Sequence, residues 1–289
     1  MIKRKFNELK IESEKVDLFQ NQILKYYDNK SKDEINLISI VIPLFNEEKS
    51  IKNVIDKIPN HRSYEIIVVD DGSTDNSAKI IKKINSREIK LIRHNRNLGY
   101  GAAILSGFKH ARGNIIVTMD SDGQHNPEEI PKLIEPVINN QADLVIGSRY
   151  LGKCNYKIPL YTRVGEYFIS LSLWLLFLQK IYNNQCGFRA FNKGVLKIFK
   201  NMRYTQFGFS TEILFKAAFN KFRIVEIPIS INPRKFGRSY VNLFNILKSI
   251  FSCILFYTFR KLKVDVNHSF IKKFFDYFYR KIRNKNILR

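Results

Sequence analysis

From Leu37 onward, short runs of apolar and β-branched residues alternate with stretches whose apolar positions recur at helical spacing. The runs Ile38 to Ile42, Glu65 to Val69, Lys90 to Ile92, Ile115 to Met119 and Leu144 to Ile146 read as strands. Most are almost continuously apolar, as strands covered on both faces of a parallel sheet must be. Between them, Lys49 to Lys57, Ser77 to Ile84, Gly101 to Ala111 and Pro127 to Ile138 read as helices. The alternation predicts an α/β domain with a mostly parallel central sheet. After Tyr150 the pattern changes to two apolar, aromatic helices, Val164 to Tyr182 and Val241 to Phe259, flanking a small mixed stretch from Gly187 to Ile231. Ahead of the alternation lies a charged, loosely amphipathic leader. The expected organisation is a leader over 1–36, an α/β domain over 37–239 and a C-terminal amphipathic segment over 240–289.

Composition narrows the partners. Of 289 residues 45% are hydrophobic, which supports a buried core, while 49 Lys and Arg against 26 Asp and Glu leave a net charge of +23. Such an excess calls for a polyanion: nucleic acid, anionic lipid or a phosphorylated substrate. Cys154, Cys186 and Cys253 are too scattered for a disulfide framework or a zinc site. No secretory signal pattern and no run of about 18 apolar residues is present, so no spanning helix is expected. Within Val241 to Phe259, Asn242, Asn245, Lys248, Ser249 and Ser252 form a polar stripe on a helix of about 28 Å at about 1.5 Å per residue, which favours lying in a membrane interface over crossing it. The tail from Arg260 interleaves ten Lys and Arg with Phe270, Phe274, Phe275, Tyr277, Phe278 and Tyr279, a pattern suited to anionic lipid rather than nucleic acid. Val164 to Tyr182, which holds the single Trp174, reads equally as a membrane-facing helix or as core.

The chemistry gathers where strands end. In open α/β sheets ligands bind outside the carboxyl ends of the strands, so Pro43 to Glu47, Asp70 to Ser73, Asp120 to Asp122 and Gly147 to Arg149 should converge on one crevice. Asp120-Ser121-Asp122 offers two carboxylates that suit a hard divalent cation bridging a diphosphate, although the same residue types make ordinary solvated turns. Of the adjacent Asp70 and Asp71, Asp71 is the preferred acceptor for a nucleobase N–H, while Ser73, Thr74 and Asp75 read as turn and capping residues. Asn97 to Ala103 opens a helix with two glycines, which either leaves room for a phosphate or sugar or permits close packing on the sheet. Arg149, Arg163 and Arg234 are candidates to grip a phosphate, because a guanidinium fork matches phosphate oxygens.

In order along the chain, Ile40-Val-Ile-Pro-Leu-Phe-Asn-Glu-Glu48, Val69-Asp-Asp-Gly-Ser-Thr-Asp75, Asn97-Leu-Gly-Tyr-Gly-Ala-Ala103, Asp120-Ser-Asp-Gly-Gln-His125, Gly147-Ser-Arg-Tyr150 and Gln185-Cys-Gly-Phe-Arg189 resemble the family 2 glycosyltransferases. More narrowly they resemble the dolichyl-phosphate and polyprenyl-phosphate sugar synthases. The resemblance spans about Ile38 to Ser239. It implies a GT-A fold, a UDP- or GDP-sugar donor, Mg²⁺ or Mn²⁺, and a polyprenyl-phosphate acceptor met at the cytoplasmic face of a membrane. Carried over by position, Pro43, Phe45, Glu47, Asp70, Asp71, Asp120 and Ser121 would line the nucleotide sugar. Asp120, Asp122 and Gln124 would hold the metal, and Asp122, Arg149, Arg163 and Arg234 would act on the reacting groups. One departure stands out: relatives often carry Asp shortly before the Gln-Cys-Gly-Phe motif, where this chain has Asn183-Asn184.

A phosphate monoester has a second pKa near about 6, so a phosphate acceptor needs no protein base. The difficulty is the approach of two anionic groups, which positioning and charge neutralisation must overcome. Two rivals remain: a family 2 enzyme acting on a glycan hydroxyl, for which Glu212 is the nearest candidate base, and a basic nucleic-acid-binding protein with a decayed site.

Overall fold

The computed structural model describes residues 37–61, 63–84, 89–204, 208–236 and 243–262, with backbone alone for 243–248. The leader over 1–36 and the basic aromatic tail beyond 262 lie outside these residues, as does Asn242 of the polar stripe.

Seven strands form one sheet: β1 (Ile38–Leu44), β2 (Tyr64–Asp70), β3 (Ile89–Arg93), β4 (Ile115–Thr118), β5 (Leu144–Cys154), β6 (Arg189–Asn192) and β7 (Ile224–Ile231), in the order β3-β2-β1-β4-β6-β5-β7. The pairs β1–β2, β2–β3, β1–β4 and β5–β7 are parallel, and β6 alone runs against its neighbours β4 and β5. Every position of β1 and β2 is buried. Within that apolar layer Glu65 is satisfied by the Ser39 hydroxyl at 2.5 Å and by Arg112 through both its backbone N–H and its Nε.

The helices are α1 (Ile51–Asp56), α2 (Ser77–Lys83), α3 (Tyr100–His110), α4 (Ile130–Ile138), α5 (Leu160–Phe177), α6 (Phe209–Phe219) and α7 (Leu243–Lys261). α3 lies so close on β1 that a Cβ at Gly107 would stand 2.2 Å from a Val41 methyl. Gly107, downstream of the Asn97 to Ala103 motif, therefore serves close packing.

Three expectations change. The mixed stretch resolves into β6, the inserted antiparallel strand, a short 3-10 helix, α6, and β7, which forms one edge of the sheet. β5 does not stop at Ile146: it continues to Cys154, with a register shift against β7 between Ser148 and Lys153. Its last residues are exposed, so they carry no apolar run to announce a strand. Arg149 consequently sits at an irregularity inside a strand rather than at its end. Finally, α7 directs Ile250, Cys253, Ile254 and Tyr257 into the core beside α5 and α6, so over these residues its apolar face meets protein.

The anchor of α7 is Glu212 in the first turn of α6. Its fully buried carboxylate accepts from the Tyr257 hydroxyl at 2.8 Å, from Arg203 N–H and from Tyr204 N–H. Tyr257→Phe removes one hydrogen bond to a buried charge and should lower unfolding free energy by about 1.5–3 kcal/mol; a denaturant titration of the full chain unmoved by this change would show that α7 docks without Glu212.

Candidate active site

The strand order reverses at β1, with β2 on one side and β4 on the other, and the loops that follow these strands meet at this point. After β1, Asn46 takes a left-handed φ of 54°, which lays 46–48 along 73–77. The two loops are tied residue by residue. Asn46 N–H donates to Ser73 Oγ at 3.0 Å, Glu47 N–H to Ser77 Oγ at 2.9 Å and Glu48 N–H to Asp75 Oδ2 at 3.1 Å, while Thr74 N–H donates back to Asn46 Oδ1 at 2.8 Å. Ser73, Thr74 and Asp75 are loop ties, as their turn character suggests. Pro43 is buried within β1, and Phe45 follows it half-buried.

The adjacent aspartates have separate tasks. Asp70 is fully buried, accepting from Ser73 N–H at 2.9 Å and paired with Arg93 Nε at 3.0 Å. Asp71 braces the segment ahead of α3: it faces His94 Nδ1 at 2.7 Å and accepts from Leu98 N–H at 2.9 Å and Gly99 N–H at 2.8 Å. Gly72, with φ 76°, admits this segment because a Cβ there would stand 2.6 Å from the Arg96 carbonyl carbon.

Asp120 follows β4 and lies against the loop of Gly187, where a Cβ would come within 2.5 Å of Asp120 Oδ1. Burial raises the Asp120 carboxyl above the usual carboxylate range, and His125, with Nδ1 3.7 Å from Asp120 Oδ2, offsets part of that rise. His125 also stacks on Phe188 and lies 3.6 Å from Cys186 Sγ, which fastens the Cys186–Phe188 loop to the aspartate loop. Asp122 Oδ1 accepts from Gln124 N–H at 3.0 Å, and Ser121 is held through its carbonyl by Ser50 Oγ at 2.8 Å. The same Ser50 hydroxyl reaches Glu47 at 2.9 Å. From the loop after β7, Arg234 pairs with Glu47 and stands 3.6 Å from Asp122 Oδ2. Burial raises the Glu47 carboxyl, against the pull of Arg234.

Glu47, Ser121, Asp122 and Arg234 are thus brought together with Asp120 beside them. The donor set of Asp120 and Asp122 is all oxygen, which suits a hard divalent cation, and among the described residues no third His, Cys, Asp or Glu completes a closed cage. Two carboxylates with open positions fit an ion whose remaining ligands come from substrate phosphate and water. Gln124 engages its Nε2 with the Asn232 carbonyl at 3.3 Å, tying the aspartate loop to the loop after β7.

On the far side of the crevice Arg149 is held by Glu166 of α5 at 2.6 Å and by the Tyr156 hydroxyl at 3.2 Å, and Tyr150 donates to the other Glu166 oxygen. Burial raises the Glu166 carboxyl, and Arg149 counters it. Arg149 Nε is buried without a partner among the described residues, a donor left over for a ligand. Arg163 is exposed in the first turn of α5 and makes no side-chain hydrogen bond or ion pair among the described residues. Glu212 is fully buried beneath α7, with both oxygens engaged, so it cannot serve as a base toward a hydroxyl acceptor.

Sequence reasoning missed Glu166, Tyr156, His94 and the role of Arg189. Buried Arg189 donates to the carbonyls of Asn184, Cys186 and Ser210, fixing the Gln-Cys-Gly-Phe loop. Glu166 left one signal, as the one carboxylate in a largely apolar helix.

A mostly parallel sheet with one inserted antiparallel strand and paired aspartates after β4 is the architecture of a GT-A fold. Among solved structures, glucosyl-3-phosphoglycerate synthase from Mycobacterium tuberculosis in complex with Mg²⁺ and UDP superposes with a TM-score of 0.64 at 19% identity, covering 86% of this chain and 84% of that one, a likeness of fold. The glycosyl transferase family 2 model matches residues 39–199, and the chain belongs to that family. It is 38% identical over 212 residues to UDP-N-acetylglucosamine–dolichyl-phosphate N-acetylglucosaminyltransferase of Methanococcus voltae, covering 67% of this chain and 84% of that protein. It is 34% identical to the dolichol-phosphate mannosyltransferase of Pyrococcus furiosus, over 74% of this chain and 62% of that protein. An undecaprenyl-phosphate 4-deoxy-4-formamido-L-arabinose transferase of Proteus mirabilis matches at 28% over 80% and 72%.

Asp122→Asn should lower transfer by about 100-fold, the scale of losing one electrostatic contact made in a transition state. Turnover unchanged by this substitution and by a chelator would remove the cation from the mechanism.

Proposed function

We propose that this glycosyltransferase moves a hexose or N-acetylhexosamine from a UDP- or GDP-sugar to a polyprenyl monophosphate, with inversion, at the cytoplasmic face of a membrane. The observation that carries the reading is the position of Arg149. Its guanidinium is fixed by Glu166 on the inner face of α5, while the outer face of the same helix exposes Leu160, Val164, Tyr167, Phe168, Leu175 and Leu178. A guanidinium held from the inner face of α5 and a long apolar surface on its outer face suit an acceptor with a phosphate head and an isoprenoid tail. The printed names of the relatives, a dolichyl-phosphate N-acetylglucosaminyltransferase, a dolichol-phosphate mannosyltransferase and an undecaprenyl-phosphate sugar transferase, support the same acceptor class.

In this reading Pro43, Phe45, Glu47 and Asp71 line the nucleotide, and Asp120 and Asp122 hold Mg²⁺ or Mn²⁺. When bound, that ion offsets the charge that builds on the departing diphosphate. Arg234, already between Glu47 and Asp122, moves its charge to phosphate oxygens when substrate enters. Arg149, through its unpartnered Nε, and Arg163 hold the acceptor phosphate behind the anomeric carbon. One phosphate oxygen forms the new bond to that carbon as the bond to the nucleoside diphosphate breaks, with no proton to remove.

Membrane association falls to α5 together with the basic tail from Arg260. No described helix is long and apolar enough to cross a membrane. The exposed side chains of α5 recur at helical spacing, and Trp174, 43% exposed, lies among them.

Radiolabel from a panel of UDP- and GDP-sugars should appear on short polyprenyl phosphates in a metal-dependent way; label on a glycan, with none on lipid, would overturn the acceptor. Arg163→Ala should raise KM for the lipid phosphate by about tenfold, the loss expected for one charge-assisted contact, while leaving KM for the donor unchanged. Vesicles of anionic lipid should shift Trp174 emission to the blue, and brominated acyl chains should quench it. An emission spectrum indifferent to vesicles would exclude α5 from the membrane contact.

A further inference from the structure

The hydroxyl of Tyr156 stands between the two halves of the crevice, on the turn that joins β5 to α5. Hydrogen bonds to two other loops fix that turn. Asn155 N–H donates to the Ile231 carbonyl at 3.0 Å and Asn155 Nδ2 to Asn232 Oδ1 at 3.0 Å, while Asn232 N–H donates to the Gln124 carbonyl at 2.9 Å. Within the turn, Cys154 Sγ donates to the Tyr156 carbonyl at 3.3 Å. The aspartate loop, the loop after β7 and the turn after β5 thus meet in one knot. Asp122 and Arg234 follow closely along two of these segments, and Arg149 lies on the strand that leads into the third.

Both sides of the knot donate to the hydroxyl. Arg149 Nη1 reaches its oxygen at 3.2 Å. Burial raises the Tyr156 pKa above the ordinary tyrosine value, and Arg149 and the Gln124 side chain, hydrogen-bonded to the same oxygen, pull it back. An N–H donor eases ionisation in this way and an accepting carbonyl does not, so the Gln124 contact is a donation as well. The Gln124 amide has a hydrogen to give, since its other one serves the Asn232 carbonyl. A tyrosine hydroxyl carries one proton and two lone pairs. Arg149 and Gln124 take the lone pairs, and among the described residues nothing accepts the proton. The ring rests half-buried against the core, which leaves the O–H at the surface of the crevice. Arg149 Nε is a second donor without a partner among the described residues, on the very guanidinium that Tyr156 contacts. Two unspent donors on adjoining groups, one cationic and one neutral, match two oxygens of one phosphate. The oxygen that attacks keeps its line only if the others are held.

We propose that Tyr156 donates its O–H to an oxygen of the acceptor phosphate, beside Arg149, and is thereby a substrate-binding residue of the transfer; the inference rests on the reading of the acceptor as a polyprenyl monophosphate. Gln124 is a positioning residue in this arrangement: by donating to the hydroxyl oxygen from the side of the aspartate loop, it turns the proton toward the acceptor.

Tyr156→Phe in the full chain keeps the ring and removes the hydroxyl. It should raise KM for a short polyprenyl phosphate by about tenfold, the scale of one hydrogen bond to a charged group, and leave KM for the nucleotide sugar unchanged. An unchanged lipid KM, or a donor KM that rises as much, would overturn the contact while leaving the polyprenyl-phosphate reading in place. Wild-type chain that labels a glycan and no lipid would overturn that reading itself. Because the substitution also deprives Arg149 of an acceptor, a second measurement looks at the hydroxyl directly. With 3-fluorotyrosine at position 156 of the otherwise native chain, the ¹⁹F resonance should shift on titration with the short polyprenyl phosphate and stay in place with the matching polyprenol. A resonance that ignores the phosphate, or answers the alcohol equally, would overturn the proposal whatever the kinetics of Tyr156→Phe.

Discussion

Five carboxylates, Glu47, Asp70, Asp71, Asp120 and Asp122, gather at one edge of one sheet, and their mutual repulsion is the constraint that the rest of the site answers. Each has a counterweight, one of them shared. Arg93 faces Asp70, His94 with two backbone amides faces Asp71, His125 faces Asp120, and Arg234 reaches Glu47 and Asp122. These partners differ in permanence. Arg93 and His94 are built into β3 and the turn after it, so Asp70 and Asp71 are fixed. Arg234 comes from the loop beyond β7 and is shared between two carboxylates, Glu47 and Asp122, so in the proposed reading it is the partner that an entering cation and diphosphate displace. In that reading Glu47 and Asp122 are the carboxylates that exchange partners, while Asp120 keeps His125.

Much of this was legible in the chain because strand ends are legible. Apolar runs such as Ile38 to Ile42 and Ile115 to Met119 stop abruptly at polar clusters, and the topology of an open sheet does the rest. What the sequence hid has a physical reason in each case. β6 spans only Arg189–Asn192 and opens with a buried arginine, so it shows no apolar run. The outer half of β5 is mostly exposed and carries no apolar run. Arg149 looked free because its partner, Glu166, arrives from a helix seventeen residues away. α7 looked lipid-facing because composition cannot tell an apolar face that meets Phe215 and Phe219 from one that meets acyl chains.

α5 shows how one amphipathic element serves two environments. Gly165, Glu166, Ile169 and Leu173 point inward, and the only charge among them is matched by Arg149 and Tyr150. The helix ends at Leu178, whose φ of 57° closes the last turn with N–H donated to the Trp174 carbonyl. Among the described residues the outward face has no such polar partner to place it, and water is a poor neighbour for so many contiguous apolar side chains. Whatever covers that face bears directly on Arg149, since displacing α5 would move Glu166 and with it the guanidinium.

The asparagines that replace the usual acidic residue before Gln185 fit the same electrostatic logic. Asn183 is fully buried and donates through Nδ2 to the Gly147 carbonyl at 2.8 Å, while Asn184, equally buried, donates to the Glu166 carbonyl at 2.8 Å and to Ser170 Oγ at 3.0 Å. A carboxylate at 183 would set an acceptor against the carbonyl of Gly147 and add a buried negative charge near Glu166, which burial already disfavours in its ionised form. The carboxylate that this turn does use comes from β7: Glu226 accepts from the backbone N–H groups of Tyr182 at 2.8 Å and Asn183 at 2.7 Å. With Glu226 satisfying the backbone and two neutral amides satisfying the carbonyls, the turn holds its shape without a further charge, and Glu166 remains the one carboxylate directed at Arg149.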